Sequence, residues 1–487
     1  MVGLKRTLFR HSGSQLRLSS LSRFMAEPLR PSSRLDALAL RRSVAHMPTS
    51  SPTLQTLAAK LKRNKPVLLA TIGQSNSANK GGCYQDGCKY WITDSGYKYS
   101  GQRGWITQVM EMINNTYPSD NHSAWNAAQG GDHPFGTAPC VSSLIPSKTD
   151  ILLVDYGISR WNLESQERLI RAILRLTKPP FLLLIDLIRW CCPWRRKNTR
   201  KCDQFNSCFR NFTSPTLNDS LTLAHYYDVG LISSTDAIVP LLGTHKLEDF
   251  DEVTAFMDDE GYHGLVQPQP YYNALADMVY HFIHQAVQVS TRARIVRRRI
   301  PKPIRVDSPR SLNCFGWAHA RLRPPQQRHA YSGSNSSGWF VSSSALHGSA
   351  RNKPGLYSRA LNDSIQLLIE KHLSTEHGEE WLQASSNSVD KRREKELCAS
   401  MAFLSSYAHV GSVWIECVSP CRCKTMHIQA RSPKLESIIN TTEFAFRTPT
   451  SCWLRVTNVE SNPPSDSHEF MLSKISTFLP RANGSCS

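Results

Sequence analysis

Long apolar runs are missing from this 487-residue chain: no stretch reaches the roughly 18 consecutive apolar residues that a membrane-spanning helix requires. A helical membrane span is therefore not expected. Residues 1–50 also hold no apolar block of signal-peptide length. They are rich in Arg and Ser, the composition of an organelle transit peptide or of residues upstream of the true start. Negative charge is scarce as well, with 39 Asp and Glu against 58 Lys and Arg and a formal net charge of +19. That excess is concentrated: residues 1–65 carry 13 basic and two acidic residues, residues 290–310 carry eight and one, and together they account for +18. The remainder is near neutral, so the basic segments read as solvated tails and linkers, and nucleic-acid binding is not expected.

Cysteine, by contrast, is abundant. Among 14 cysteines, Cys83 with Cys88, Cys202 with Cys208, and Cys417 with Cys421 and Cys423 are spaced as short disulfide loops. Eight N-x-S/T sequons, at Asn114, Asn121, Asn211, Asn218, Asn335, Asn362, Asn440 and Asn483, point to the same oxidising compartment, the secretory pathway or the extracellular space. Cys417, Cys421, Cys423 and Cys452 could also hold zinc through four thiolates, but they lack the paired C-x-x-C spacing of zinc ribbons, so disulfides are the stronger reading. A composition of 40% hydrophobic and 20% charged residues suits a folded protein, and the length suits two domains.

Residues 66–290 alternate short apolar runs with amphipathic stretches, the pattern of a doubly wound α/β sheet. Segments 66–73, 150–157 and 181–188 are continuous apolar runs, as expected for parallel strands buried on both faces. Between the last two, a helix over 163–176 places Leu169, Ile170, Ile173 and Leu174 on one face and Glu164, Glu167, Arg168, Arg171 and Arg175 elsewhere. A final helix over 270–287 turns Leu275, Met278, Val279, Phe282 and Ile283 to the sheet. Beyond a basic linker, the alternating stretches 364–369, 412–417 and 452–456 predict a β-sandwich, and 374–396 reads as a solvated insertion. The expected organisation is a disordered or targeting segment over 1–62, an α/β domain over 63–290, a linker over 291–310 and a β-sandwich over 311–482.

Two segments carry chemistry. Gly73-Gln74-Ser75-Asn76-Ser77 follows the first apolar strand directly, at the end of an α/β strand where the sheet opens into a crevice. A glycine there permits a sharp turn, and free backbone N–H groups can hold the oxygen of a tetrahedral intermediate; the plainer reading is a strand-to-helix turn with Ser as a cap. Phe256 to His263 (FMDDEGYH) places His263 in one loop with Asp259 and Glu260, either of which could fix the imidazole tautomer; the plainer reading is a surface histidine. Trp339, Trp381, Trp414 and Trp453 are either sandwich core or a sugar-stacking platform.

In order along the chain these segments resemble the four motif blocks of the SGNH, or GDSL-like, esterases and acyltransferases. Gly73-Gln74-Ser75 is similar to the nucleophile block in its GQS form. Asn126-Ala127-Ala128-Gln129-Gly130-Gly131 is similar to the second block, with Gly131 at the oxyanion-hole position. Asp155-Tyr156-Gly157-Ile158-Ser159 is similar to the third block, with Ser159 where the family has an oxyanion-hole Asn. Glu260 and His263 match the closing block, in which an acid precedes the His by three residues, and Asp259 competes with Glu260 for the acid role. The resemblance spans residues 66–285 and is closest to algal and plant-like members with a Cys-containing C-terminal module, a likeness shared by 222–234 and 412–423.

The resemblance implies a flavodoxin-like three-layer α/β/α domain followed by a smaller β-sandwich domain. It implies a serine esterase that acts on an acyl ester, such as an acetyl ester, of a carbohydrate or small molecule. Ser75 would be the nucleophile, His263 the base and Asp259 or Glu260 the acid, with Gly131 and Ser159 in the oxyanion hole and no metal or organic cofactor. An O-acyltransferase and a catalytically degenerate carbohydrate-binding or wall-associated protein remain the alternatives.

Overall fold

The computed structural model describes residues 16–17, 35–48, 51–74, 77–78, 104–157, 162–187, 215–242, 270–289, 300–304, 311–316, 339–342, 355–358, 360–369, 395–406, 410–432, 438–448, 452–460, 469–478 and 486. The first unit is built on seven strands: β1 (Leu16–Arg17), β2 (Val44–His46), β3 (Leu68–Gly73), β4 (Ser123–Asn126), β5 (Ile151–Asp155), β6 (Phe181–Asp186) and β7 (Gly230–Ser233). They lie in the order β1-β4-β3-β5-β6-β7-β2. The five central strands are parallel, with β1 and β2 added antiparallel at the two edges. Every residue of β3, β5 and β6 is buried, because helices cover both faces.

Alternate side chains of each strand feed two separate apolar cores. Leu69, Ile151, Leu153, Phe181, Leu183 and Ile185 face a core formed with α1 (Ala37–Ser43), α2 (Pro52–Lys62), α3 (Trp105–Thr116) and, later in the chain, a helix over Pro270–Val289. Ala70, Ile72, Leu152, Val154, Leu182 and Leu184 face the other core, formed with α5 (Val141–Leu144), which follows the short α4 (Pro134–Thr137), and with α6 (Leu163–Leu174) and α7 (Pro215–Tyr227). A short α8 (Ser234–Leu242) follows β7, and the Pro270–Val289 helix is α9. The α/β/α layering is thus as the apolar runs indicate, and the five α9 residues expected to face the sheet are all buried.

One expectation needs correction. Residues 35–62 are not an unfolded leader. Asp36 caps α1 by accepting from the Ala39 N–H, Ser51 caps α2 by accepting from Leu54 with Pro52 at the first helical position, and Leu54, Leu57 and Leu61 are buried against α9. Their arginines and lysines masked an ordinary amphipathic pattern. On α6, which Asn162 caps, Glu167, Arg168 and Arg171, placed off the apolar face, are buried as well. Residues 300–304 and the second unit cover that side: the Ile304 N–H donates to Glu167 Oε1 at 2.6 Å, Arg171 donates to the Pro301 carbonyl at 2.6 Å, and Arg168 pairs with Glu443 at 3.1 Å.

The second unit contains β8 (Ser311–Gly316), β9 (Phe340–Ser342), β10 (Gly355–Ser358), β11 (Ser364–Ile369), β12 (Lys395–Ser405), β13 (Ser412–Val418), β14 (Arg422–Cys423), β15 (Met426–Gln429), β16 (Ile438–Thr448), β17 (Cys452–Val459) and β18 (Phe470–Phe478). One sheet runs β14-β16-β12-β18-β10-β9, with β8 also on β18, and a four-stranded sheet runs β11-β17-β13-β15. Their facing side chains, among them Ile365, Met401, Val413, Ile415, Phe446 and Leu454, form one apolar core, which makes the unit an antiparallel β-sandwich. Lys395 and Glu396, placed in the solvated insertion, begin β12; residues 374–394 lie outside the described residues. Cys417 pairs with Cys423, Cys421 with Cys452, Cys398 with Cys486, and Cys140 with Cys314. Disulfides, not a zinc site, therefore account for the four cysteines near the sandwich edge, and the local grouping of Cys417, Cys421 and Cys423 resolves into one short loop and one cross-link to β17. Cys83, Cys88, Cys202 and Cys208 lie outside the described residues.

Candidate active site

The central parallel strands follow the flavodoxin-type order, with β4 and β5 on opposite sides of β3, so the chain leaves β3 at the topological switch point. Gly73 ends that strand. A Cβ at this position would run into the carbonyl oxygen of Asp155, so only glycine lets β3 and β5 close up here. The Gln74 N–H then donates to the Asp155 carbonyl at 3.0 Å, and the Gln129 N–H donates to the Gly73 carbonyl at 2.9 Å. The first, second and third sequence blocks thus meet at the carboxyl ends of β3, β4 and β5.

Side chains fix the turn from both sides. Gln74 Nε2 donates to the Asp132 carbonyl at 2.7 Å. Asn126 Nδ2 donates to the Ser77 carbonyl at 2.6 Å, while its Oδ1 accepts from the Ala128 N–H at 3.1 Å. The Ser77 hydroxyl donates to Asp155 Oδ2 at 2.5 Å. Asp155 is fully buried, and burial pushes its carboxyl up to about 6 even though the hydrogen bonds from Ser77 act in the opposite direction. Ser77 and Asp155 are not among the site residues expected from the sequence, although Ser77 closes the segment after the first apolar strand and Asp155 opens the third block.

Gly131, the expected oxyanion donor, has φ of 76°, a left-handed conformation that favours glycine. It lies in the turn closed by the Asp132 N–H on the Gln129 carbonyl at 3.0 Å. Behind it is a buried polar cluster: Asp132 Oδ2 accepts from Lys474 Nζ at 2.5 Å, Thr137 Oγ1 at 2.7 Å and the Tyr156 hydroxyl at 3.3 Å. Burial alone would raise the Asp132 carboxyl. The Lys474 ammonium, His133 and the hydrogen bonds from Lys474 and Thr137 together hold it below its ordinary value.

His133 is not a candidate base. Its Nδ1 accepts the Gly136 N–H at 3.0 Å, so in the neutral ring Nε2 carries the proton and donates to Thr441 Oγ1 at 2.7 Å. Burial lowers the imidazole to about 4, the Lys474 charge adding to the effect and Asp132 opposing it. Ser75, Ser159, Asp259, Glu260 and His263 all lie outside the described residues, so of the expected site residues the structure places Gly131 and the frame on either side of Ser75. Of the four tryptophans considered for sugar stacking, Trp339 is core, packed on Phe470, and Trp381 lies outside the described residues. Trp414 and Trp453 share the outer face of the four-stranded sheet, where Trp414 is 41% exposed and lies against His427. Among the described residues, no group of three metal-ligating side chains converges.

No family model and no curated protein sequence matches the chain. Solved structures do. A two-domain esterase active on acetylated mannans, co-crystallised with mannopentaose, aligns over 91% of this chain and 98% of its own with a TM-score of 0.53 and 14% identity. A further structure of a two-domain esterase active on acetylated mannans aligns over 90% and 98%, with a TM-score of 0.51 and 14% identity. This chain therefore shares a two-unit α/β plus β-sandwich fold with these proteins.

Proposed function

We propose that the chain is a serine ester hydrolase of the SGNH type that removes an acyl group, such as acetyl, from a carbohydrate or other small ester. The observation that carries the reading is the convergence of Gly73 and Gln74, the Gln129–Asp132 turn and Asp155 at the switch point, where α/β folds hold ligands. Support for the substrate class comes from the shared fold of a two-domain esterase active on acetylated mannans.

In this reading Ser75 Oγ attacks the ester carbonyl while His263 takes its proton, and Asp259 or Glu260 orients the imidazole. The backbone N–H groups of Ser75 and Gly131 and the Ser159 hydroxyl stabilise the oxyanion. His263 then protonates the leaving alcohol, and water, activated by the same histidine, releases the acid from the acyl-enzyme. Resolution by a sugar hydroxyl instead of water would make the chain an O-acyltransferase. The chemistry requires no metal or organic cofactor. The four disulfides among the described residues suit an oxidising environment, and we place the protein in the secretory pathway or outside the cell. Ser159 in place of the family's Asn favours a second reading, a catalytically degenerate carbohydrate-binding protein on the same scaffold.

Hydrolysis of p-nitrophenyl acetate by the full chain, beside Ser75→Ala, separates the readings. Activity abolished in the variant establishes the esterase; equal rates in two folded proteins leave the binding reading.

A further inference from the structure

The turn that carries Gly131 is held from both units, and the second reaches almost every residue of it. Gln129 exchanges two hydrogen bonds with the Ser473 hydroxyl, at 2.9 and 3.2 Å. The Gly131 carbonyl accepts the Ile439 N–H at 2.9 Å, Asp132 takes the Lys474 ammonium at 2.5 Å, and His133 meets Thr441 at 2.7 Å. Within residues 129–133, every position except Gly130 is thus bonded to β16 or β18.

The sandwich is shaped for this contact. The pairing of β12 with β18 shifts between Ala402 and Phe403, so that Ala402 faces Lys474 and Phe403 faces Leu472, leaving Ser473 as an extra residue. A bulge of this kind breaks the strict alternation of a strand. It lets successive residues, Ser473 and Lys474, both reach the first unit. Lys474 is 2% exposed and Asp132 likewise, so neither charge is shielded by water. A lysine buried in mid-strand is costly unless it is paired, and here its ion-pair partner directly follows the proposed oxyanion glycine.

We propose that the β-sandwich sets the shape of the oxyanion loop, with Lys474 as a positioning residue that acts through Asp132 on Gly131. The inference rests on the esterase reading above and extends it: the second unit is part of the catalytic apparatus, whatever sugar it also contacts. Holding Gln129 on one side of Gly131, and the Gly131 carbonyl and the Asp132 side chain on the other, restricts the backbone dihedrals of Gly131. The direction of its N–H is thereby set before substrate arrives, which is what oxyanion stabilisation requires. The Gln74 bond to the Asp132 carbonyl carries the same constraint to the nucleophile turn.

The test compares the full chain with Ser75→Ala, Lys474→Met and Thr441→Val on p-nitrophenyl acetate. A p-nitrophenyl phosphonate provides the second readout; Ser75 Oγ would attack its phosphorus and expel p-nitrophenolate, leaving an adduct whose oxygen occupies the oxyanion site. All assays run below the unfolding temperature of each protein. Lys474→Met should lower kcat about 100-fold, as loss of an oxyanion donor does, with KM changed by less than about threefold. Its phosphonylation rate should fall in parallel, and Thr441→Val should lower both by roughly three- to tenfold. A merely structural role would lower the unfolding temperature and leave kcat per folded molecule intact, which overturns the proposal. Should Lys474→Met fail to fold, Thr441→Val decides: reduced kcat supports the proposal and unchanged kcat overturns it. Equal rates for Ser75→Ala and the parent would overturn the esterase reading and this inference with it. Dependence on Ser75 without dependence on Lys474 or Thr441 would overturn this inference alone.

Discussion

The interior of each unit and the seam between the units are built by opposite rules. Inside, Leu153, Leu183 and Phe282 of the first unit and Ile415, Leu454 and Phe446 of the second belong to continuous apolar clusters. The seam, besides the Cys140–Cys314 bond and the rings around Arg168, holds paired charged and polar groups: Lys474 with Asp132, Arg168 with Glu443, His133 with Thr441 and Gln129 with Ser473. Arg168 also lies over the Phe135 ring at 4.1 Å, so its guanidinium is packed as well as paired. Apolar burial is non-directional, and it tolerates small rotations of the packed surfaces. A buried ion pair is directional and penalises any displacement, so the seam defines one relative placement of the two units rather than a strong but sliding attachment.

The sharpest way to break the contrast is Arg168→Met, which removes the guanidinium paired with Glu443 in a dry interface. It should destabilise the protein by about 3–5 kcal/mol in denaturant unfolding, and the double variant Arg168→Met/Glu443→Leu should recover most of that loss. A core truncation such as Leu153→Ala has no such rescue partner, and its cost should stand at about 2–5 kcal/mol whatever is changed at the seam. Replacing Cys140 and Cys314 together by Ser removes the covalent tie across the seam. A fall of about 2–4 kcal/mol is expected, read as a lower denaturation midpoint.

Acid titration contrasts a buried group of the first unit with one that also faces the second. Asp155 is raised by burial to about 6, so between its ordinary pKa and pH 6 the native state holds more protons than the unfolded chain. Its contribution to stability therefore falls as pH rises from about 4 to above 6, by about 3 kcal/mol, and Asp155→Asn should abolish that slope. His133, lowered to about 4, has the opposite sign: its neutral buried ring favours folding above pH 6.5, and that benefit is lost as pH falls towards 4. His133→Gln should remove that acid sensitivity, measured by urea unfolding at pH 4.5 and 7. The smallest effect is expected at the outer face of the sandwich. Trp414→Ala should change stability by less than about 0.5 kcal/mol, because the residue is 41% exposed on the outer face of its sheet.

These contrasts also explain what the sequence disclosed. The continuous apolar runs of β3, β5 and β6 declared themselves, because a strand buried on both faces has little use for polar residues. The α9 face was legible for the same reason, and so was the glycine at 73. The seam was not. Glu167, Arg168 and Arg171 showed only as residues off the apolar face, since hydropathy cannot distinguish a charge that meets water from one that meets a partner 275 residues away. The one available signal was Lys474, the only ionisable residue in the nine of β18, whose remaining residues suit a buried strand. The basic character of residues 1–65 hid the caps and leucine spacing of α2, because net charge was weighed over the whole segment instead of turn by turn.

The Cys140–Cys314 bond has a consequence for how the molecule survives damage. Any single backbone cut between those two residues, including one in the arginine-rich stretch that leads to the sandwich, leaves one covalent particle whose halves are also held by the buried Asp132–Lys474 pair. A trypsin-nicked sample would therefore migrate as an intact chain without reductant and as two fragments with it.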